Sequence, residues 1–269
     1  MNSNITLVVS SCDKYEDLWS PFFQLLKKYW NPDFPIVLIT ESKDFTFPGL
    51  EIRTLHLYKA GERPEWSELQ MKSLEQIHTD LVLFMLDDFF INDYVNKGRI
   101  LETAQWMEQD PSIACFCFAP IMHGKNLPCG YHGFELRPQK GEYRLNAQTA
   151  LWRRETLLHD MRPHENAWVF ETLGSMRSFR YKDQKFYAAL PDNIIVPYDF
   201  QDGGALNHGK WNPSAVELNE KEQLGIDISA RGINTEERGS RERRKQYLSD
   251  WSWKRVSKAI ATRWRSLKW

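Results

Sequence analysis

Two adjacent carboxylates, Asp87 and Asp88, directly follow the six apolar residues Leu81–Leu86, LVLFML. A run this short and this apolar reads as a buried strand, so both aspartates stand at a strand end. Side by side in apolar surroundings they repel each other and resist ionisation unless a cation is present. Mg2+ or Mn2+ relieves that conflict, and such ions are typically held by one or two carboxylates together with substrate phosphates. The competing reading, an aspartate capping the next turn, accounts for one carboxylate better than for two.

The elements that must hold this pair alternate between strand and helix. Strands are expected at Ile5–Ser10, Pro35–Thr40, Leu81–Leu86 and Ile113–Ala119, each short, apolar and bounded by polar or turn residues, and at Ile52–Leu57. Between them, Trp19–Trp30, Trp66–His78 and Gly98–Gln109 carry apolar positions at helical spacing. This β-α-β alternation predicts an α/β fold with a mainly parallel, Rossmann-like sheet and helices on both faces. In such sheets ligands bind outside the carboxyl ends of the strands, where Asp87 and Asp88 fall. Further on, Pro120–Arg144 reads as a long loop rich in Gly, Pro and His. Leu145–Arg153 reads as a strand, Arg154–Met161 and Ala167–Arg177 as helices, Ile194–Tyr198 as a late strand, and Asp202–Pro213 as a Gly-rich loop.

The composition of the 269 residues, 42% hydrophobic and 26% charged, is that of a globular protein. Its 11 tryptophans are several times the usual share, as flat stacking surfaces or a membrane interface would need, although core packing accounts for many of them. Cys12, Cys115, Cys117 and Cys129 form no CxxC pair, and no His/Cys cluster has zinc-ligand spacing; all four are read as reduced thiols of a cytosolic protein. The start MNSNITLVVSSCDKY lacks the basic region of a signal peptide. No apolar run approaches the ~18 residues of a spanning helix.

The net charge of −1 hides an asymmetry. From Arg241 to Trp269 there are ten Lys/Arg against Glu242 and Asp250, or +8, which leaves −9 for the rest. Within that tail Trp253, Val256, Ile260, Trp264 and Leu267 fall on one stripe of a helix, with Lys254, Lys258 and Arg265 off it. Residues 1–240 are therefore read as the main domain and 241–269 as a basic amphipathic helix suited to an anionic membrane surface. The apolar stripe favours membrane over nucleic acid.

The strand-ending acidic pair resembles the DxD-type motif of GT-A-fold glycosyltransferases, with the aspartates here adjacent rather than one residue apart. Other segments agree in order over roughly residues 5–215. The resemblance implies nucleotide-sugar contacts at Ser10, Ser11, Asp13 and Tyr15, where the first strand ends. LNAQTALWRRETL resembles the stretch lining donor and acceptor in bacterial polysaccharide glycosyltransferases, which implicates Gln148, Trp152 and Arg153. Residues 165–171 resemble the helix start carrying the catalytic base of inverting members, which implicates Glu171, with Glu165 in reserve and Trp168 in the pocket. LNHGKW implies His208 as a third metal ligand, Lys210 at the phosphates and Trp211 in the pocket. Each residue also has a plainer reading: Asp13 as a helix cap, Tyr15 as core, Glu165 as a helix-dipole partner, Glu171 as a surface glutamate, His208 as an ordinary loop histidine, and Arg153 and Lys210 as solvated charges.

The chemistry fits independently. Sugar transfer needs charge stabilised on a leaving pyrophosphate, which a metal supplies, and a separate base for the acceptor hydroxyl. The expectation is an inverting, Mn2+- or Mg2+-dependent enzyme. Its donor is a nucleotide sugar of UDP type and its acceptor a saccharide, lipid-linked on the inner face of the cytoplasmic membrane, in bacterial surface polysaccharide (lipopolysaccharide or capsule) synthesis. A metal-dependent nucleotidyltransferase is the first rival, although no Gly-rich phosphate loop follows the first strand. A non-catalytic membrane-associated binding protein is the second.

Overall fold

A computed structural model describes residues 4–235 and 264–265. The elements run β1 (Ile5–Ser10), a 3-10 turn at Asp13–Tyr15, α1 (Glu16–Tyr29), β2 (Ile36–Thr40), β3 (Ile52–His56), α2 (Trp66–Glu75), β4 (Leu81–Leu86), α3 (Lys97–Gln109) and β5 (Ile113–Cys117). They continue with β6 (Phe134–Leu136), β7 (Ala150–Arg153), α4 (Arg154–Asp160), α5 (Ala167–Val169), a π-helical turn (Phe170–Gly174), α6 (Ser175–Ser178) and β8 (Lys185–Ala189). A small hairpin of β9 (Leu206–Asn207) and β10 (Lys210–Trp211), then α7 (Pro213–Glu222) and α8 (Ile228–Arg231), complete the described chain.

One eight-stranded sheet has the order β3-β2-β1-β4-β7-β5-β8-β6. β1 to β4 are parallel to one another, β7 is antiparallel to both its neighbours, β8 is parallel to β5, and β6 is antiparallel to β8. Six strands thus share one direction while β7 and β6 oppose it, giving the mainly parallel α/β sheet read from the sequence. Strand alternation divides the core between the two faces. Leu7, Val9, Leu83 and Met85 pack with α1 and α3 residues such as Phe22 and Ile100, whereas Val8, Val82 and Phe84 pack with α2 and α4 residues such as Leu69 and Leu157. Helices cover both faces, as burial of parallel strands requires.

The second half departs from the sequence reading. The stretch Leu145–Arg153 is strand only from Ala150, and its first residues turn instead. Ile194–Tyr198 forms no strand; Ile195 and Val196 are buried, and its carbonyls are used by Asn92 N–H and Asn96 N–H across a loop. Burial gave it a strand-like pattern without a ladder. The strand beyond β5 is β8, with β7 on its other side, and the long loop at 120–144 contains the edge strand β6. The Gly-rich loop at 202–213 contains the β9–β10 hairpin, whose turn residues His208 and Gly209 both have positive φ, 51° and 79°. That backbone belongs to a two-residue hairpin turn. All four cysteines are free thiols. Among the described residues no helix is long and apolar enough to cross a membrane. The amphipathic helix expected at 241–269, with Trp253, Lys254 and Lys258, lies outside the described residues apart from Trp264, which is exposed, and Arg265.

Candidate active site at the carboxyl edge of the sheet

The chain builds β1, β2 and β3 outward in one direction and then places β4 on the opposite side of β1. Strand order reverses there, and the crevice at the carboxyl ends of β1 and β4 is where open α/β sheets take ligands. Ser10 is paired beside Leu86 in that register, so Ser11 comes level with Asp87.

Asp87 is buried, and the Ser11 hydroxyl donates to its Oδ2. Ser11 Oγ in turn accepts from the Trp19 indole N–H at 2.6 Å, which ties the carboxylate to α1. Burial, reinforced by the neighbouring Asp88 charge, holds the Asp87 carboxyl well above the usual range. Burial also raises Asp88 to about 7. Asp88 is only partly covered as a residue, yet its Oδ1 is shut off from solvent with no hydrogen-bond partner. An orphaned carboxylate oxygen beside a second strained carboxylate is a donor set that fits a hard divalent ion.

The acidic turn is braced from behind. Ala205 N–H donates to the Asp88 carbonyl at 2.7 Å. At Gly204 a Cβ would come within 2.7 Å of that same oxygen and 3.0 Å of the Phe89 ring. Gly204 has φ of +95°, so glycine answers here both to close approach and to backbone. The Asn212 amide donates to the Gly204 carbonyl at 2.8 Å and closes the loop.

Arg231 is a positive group the sequence reading passed over. α8 brings its guanidinium against the first turn of α1, where Nε and Nη2 donate to the two Asp17 oxygens at 2.6 and 2.5 Å. It lies 5.0 Å from the centroid of the Tyr15 ring and 6.0 Å from that of Trp211. Hydrogen bonding to Asp17 raises its pKa, and Asp87 adds to that effect. Its segment, DISARGIN, carries no motif, and only the return of the chain onto α1 puts it there.

The segment before β7 supplies the far side of the crevice. Because β7 is antiparallel, its beginning and not its end lies on the Asp87 edge. Ala147 N–H donates to Glu171 Oε1 at 2.9 Å, and burial raises the Glu171 carboxyl above its ordinary value. Glu171 sits in the π-helical turn, a local widening often found at functional sites. Next to it, Gln148 Oε1 accepts from the Tyr198 hydroxyl at 2.9 Å. The Tyr198 ring is stacked on Phe89 with centroids 4.5 Å apart. Asp87, Asp88, Ser11, Gln148, Tyr198 and Glu171 thus belong to one edge of the sheet.

The other expected residues fall in different places. Arg153 pairs with Leu81, at the opposite end of β4 from Asp87, and donates to the Met107 and Ile113 carbonyls; the reversed direction of β7 carries it away from the acidic pair. Trp152 and Trp211 are core residues at 0% and 1% exposure. Glu165 is fully buried and holds the Arg177 guanidinium through both oxygens, at 2.5 and 2.8 Å, so both its oxygens are committed to an ion pair. Asp13 spends both oxygens on the N–H groups of Glu41, Ser42 and Lys43 and on the Ser42 hydroxyl. Burial pushes its carboxyl up, but those bonds bring it below the ordinary value. Tyr15, half-buried, has Arg231 over its ring where a base would stack. His208 and Lys210 are exposed on the hairpin, and among the described residues no three His, Cys, Asp or Glu side chains gather as a metal cluster. Ser10 is buried and offers its carbonyl to Asp87 N–H. Trp168 is 75% exposed, one helical turn before Glu171.

No family model and no curated protein matches the chain. Among solved structures it is similar to residues 1–349 of S. aureus TarS, with TM-score 0.43, 14% identity, and 91% of this chain and 78% of that one covered. A longer S. aureus TarS structure has TM-score 0.46 and 15% identity, and 98% of this chain spans 49% of it. The mannosyltransferase PcManGT from Pyrobaculum calidifontis, in complex with GDP-Man and Mn2+, has TM-score 0.46 and 11% identity, with 98% and 81% covered.

Proposed function

We propose that this chain is a divalent-metal-dependent glycosyltransferase that moves a sugar from a nucleotide-sugar donor, of UDP type, to a saccharide acceptor with inversion. The observation that carries the reading is the buried Asp87–Asp88 pair at the β1/β4 switch point, with Glu171, a separate carboxylate of raised pKa, on the same edge. Asp87 and Asp88 would hold Mn2+ or Mg2+, which supplies Lewis-acid stabilisation to a leaving diphosphate. Ser11 orients Asp87, and the Gly204–Ala205 backbone fixes Asp88. Arg231 adds positive charge for the phosphates. Glu171, oriented by Ala147 N–H and raised above its ordinary pKa by burial, accepts the proton of the acceptor hydroxyl. The exposed Trp168 ring offers the acceptor a flat face.

The basic tail, outside the described residues, is proposed to hold the enzyme on an anionic membrane, which suits a lipid-linked acceptor in surface polysaccharide synthesis. The test is a thermal-shift screen of UDP, GDP and their sugar conjugates with and without Mn2+, since a ligand of the folded state raises apparent stability by mass action. Metal-dependent stabilisation by a nucleotide sugar supports the reading. Stabilisation only by nucleoside triphosphates, with pyrophosphate released, would establish the nucleotidyltransferase instead, and no nucleotide effect at all would leave the binding-protein alternative.

A further inference from the structure

The Tyr198 phenol is nearly inaccessible at 6% exposure, and it makes two hydrogen bonds that differ in direction. Its oxygen accepts from Thr149 N–H at 3.3 Å, and its single proton goes to Gln148 Oε1 at 2.9 Å. A backbone N–H can only donate, so the phenol proton has one direction left to it. Burial holds that phenol above its ordinary pKa, so the proton stays in place. The Gln148 carbonyl end is thereby committed to the protein. Its amide end, Nε2, has no acceptor among the described residues and is not closed off from solvent. The backbone pins the residue as well, since Gln148 N–H donates to Asn146 Oδ1 at 3.1 Å.

Position decides what Nε2 faces. Gln148 lies two residues before Ala150, the residue that pairs with Phe84 of β4, and so on the Asp87 edge. One neighbour in the turn, Ala147, holds Glu171; the other, Thr149, holds Tyr198, whose ring is stacked on the residue following Asp88. In a transfer from a nucleotide sugar the migrating sugar must lie between the leaving phosphate and the base. We infer that Gln148 is a specificity-determining residue that donates through Nε2 to an oxygen substituent of the transferred sugar, and that Tyr198 is the positioning residue that fixes the polarity of its amide. An unlocked glutamine can turn either end outward and accept or donate; this one can only donate. The inference rests on the glycosyltransferase reading above.

The test compares, by calorimetry on the full chain with Mn2+, the affinity for UDP with that for UDP-glucose, UDP-galactose and UDP-GlcNAc. UDP has no sugar, so the ratio isolates the sugar contact. Tyr198→Phe and Gln148→Glu should each leave UDP affinity within twofold. For the sugar preferred by the wild type, each should lower the extra affinity about fivefold or more, the loss expected for one hydrogen bond. Gln148→Glu keeps the partner of Tyr198 but turns an acceptor outward, so it reports polarity even where Tyr198→Phe melts early. An unchanged UDP-sugar to UDP ratio in both variants overturns the inference while leaving the enzyme reading intact. A wild type that binds UDP but gains nothing from any sugar overturns the inference alone, and one that binds no nucleotide overturns both.

Discussion

Glu171 Oε1 accepts the backbone N–H of Ala147 at 2.9 Å, so the carboxylate on the π-helical turn is aimed by the segment leading into β7. Glu171→Gln preserves size and loses basicity. Turnover should fall by about 100-fold or more, while donor affinity stays near that of the wild type. Because burial raises this carboxyl, the acid limb of the rate profile should lie above the ordinary glutamate range. Steady-state rates across pH, with calorimetric donor binding, check both points. Wild-type turnover in the variant would exclude Glu171 as the base.

Asp88→Asn should uncouple stability from function. The carboxyl titrates at about 7 in the folded chain, against ~4 in an unfolded one. Between those values the metal-free fold holds a proton that the unfolded chain has released, so its stability falls as pH rises through that window. At pH 8 the asparagine variant should melt roughly 2–4 °C higher without metal, equivalent to about 1 kcal/mol. It should also lose its Mn2+ response. In the wild type, Mn2+ affinity should weaken as pH drops below about 7, because protons compete for the same oxygens. Scanning calorimetry with and without chelator at pH 5.5 and 8 tests all three.

Gly204→Ala should strike the acidic pair without touching its chemistry. The new Cβ would meet the Asp88 carbonyl at 2.7 Å on a backbone with φ of +95°. Strain of this kind costs about 1–3 kcal/mol. Mn2+ affinity should fall with it, since the Ala205 N–H bond that braces Asp88 is displaced. A variant that melts and binds Mn2+ like the wild type would show that the loop does not hold the pair.

Glu165→Gln separates the two glutamates. Removing the charge leaves Arg177 buried opposite a neutral partner, and breaking a buried pair costs about 3–5 kcal/mol. The variant should lose stability, yet folded protein at low temperature should retain its rate per molecule. A lost rate at full stability would return Glu165 to the chemistry.

Truncation before Arg241 should release the protein from anionic liposomes while activity on a short soluble acceptor persists. Each of the basic residues removed contributes roughly 1 kcal/mol near such a surface. Trp264→Glu should weaken co-sedimentation even at low salt. Co-sedimentation of the truncated protein equal to that of the full chain would end the membrane reading.

The first half of the fold was legible because all its strands but the edge strand β3 are short apolar runs with clear ends; β1 and β4 have the bounds the sequence suggests. The place of Asp87 and Asp88 at the end of β4 was legible for the same reason. Arg153 and Trp152 misled because strand direction leaves no mark on an apolar run, and reversing β7 exchanges which end meets the ligand. Glu165 and Glu171 differ only in partners far along the chain, Arg177 and Ala147. Arg231 and Tyr198 gave no local signal at all, being brought to the site by chain return alone.

The reversal of β7 also has a modular consequence. Phe118 N–H donates to the Thr149 carbonyl at 2.8 Å, so the excursion between them starts and finishes at one point of the sheet. Its two ends touch, yet residues 119–148 are no free cassette: β6 within them pairs with β8, and Ala147 N–H near their end holds Glu171. The segment carrying Gln148 and the turn carrying Glu171 therefore have to be exchanged together.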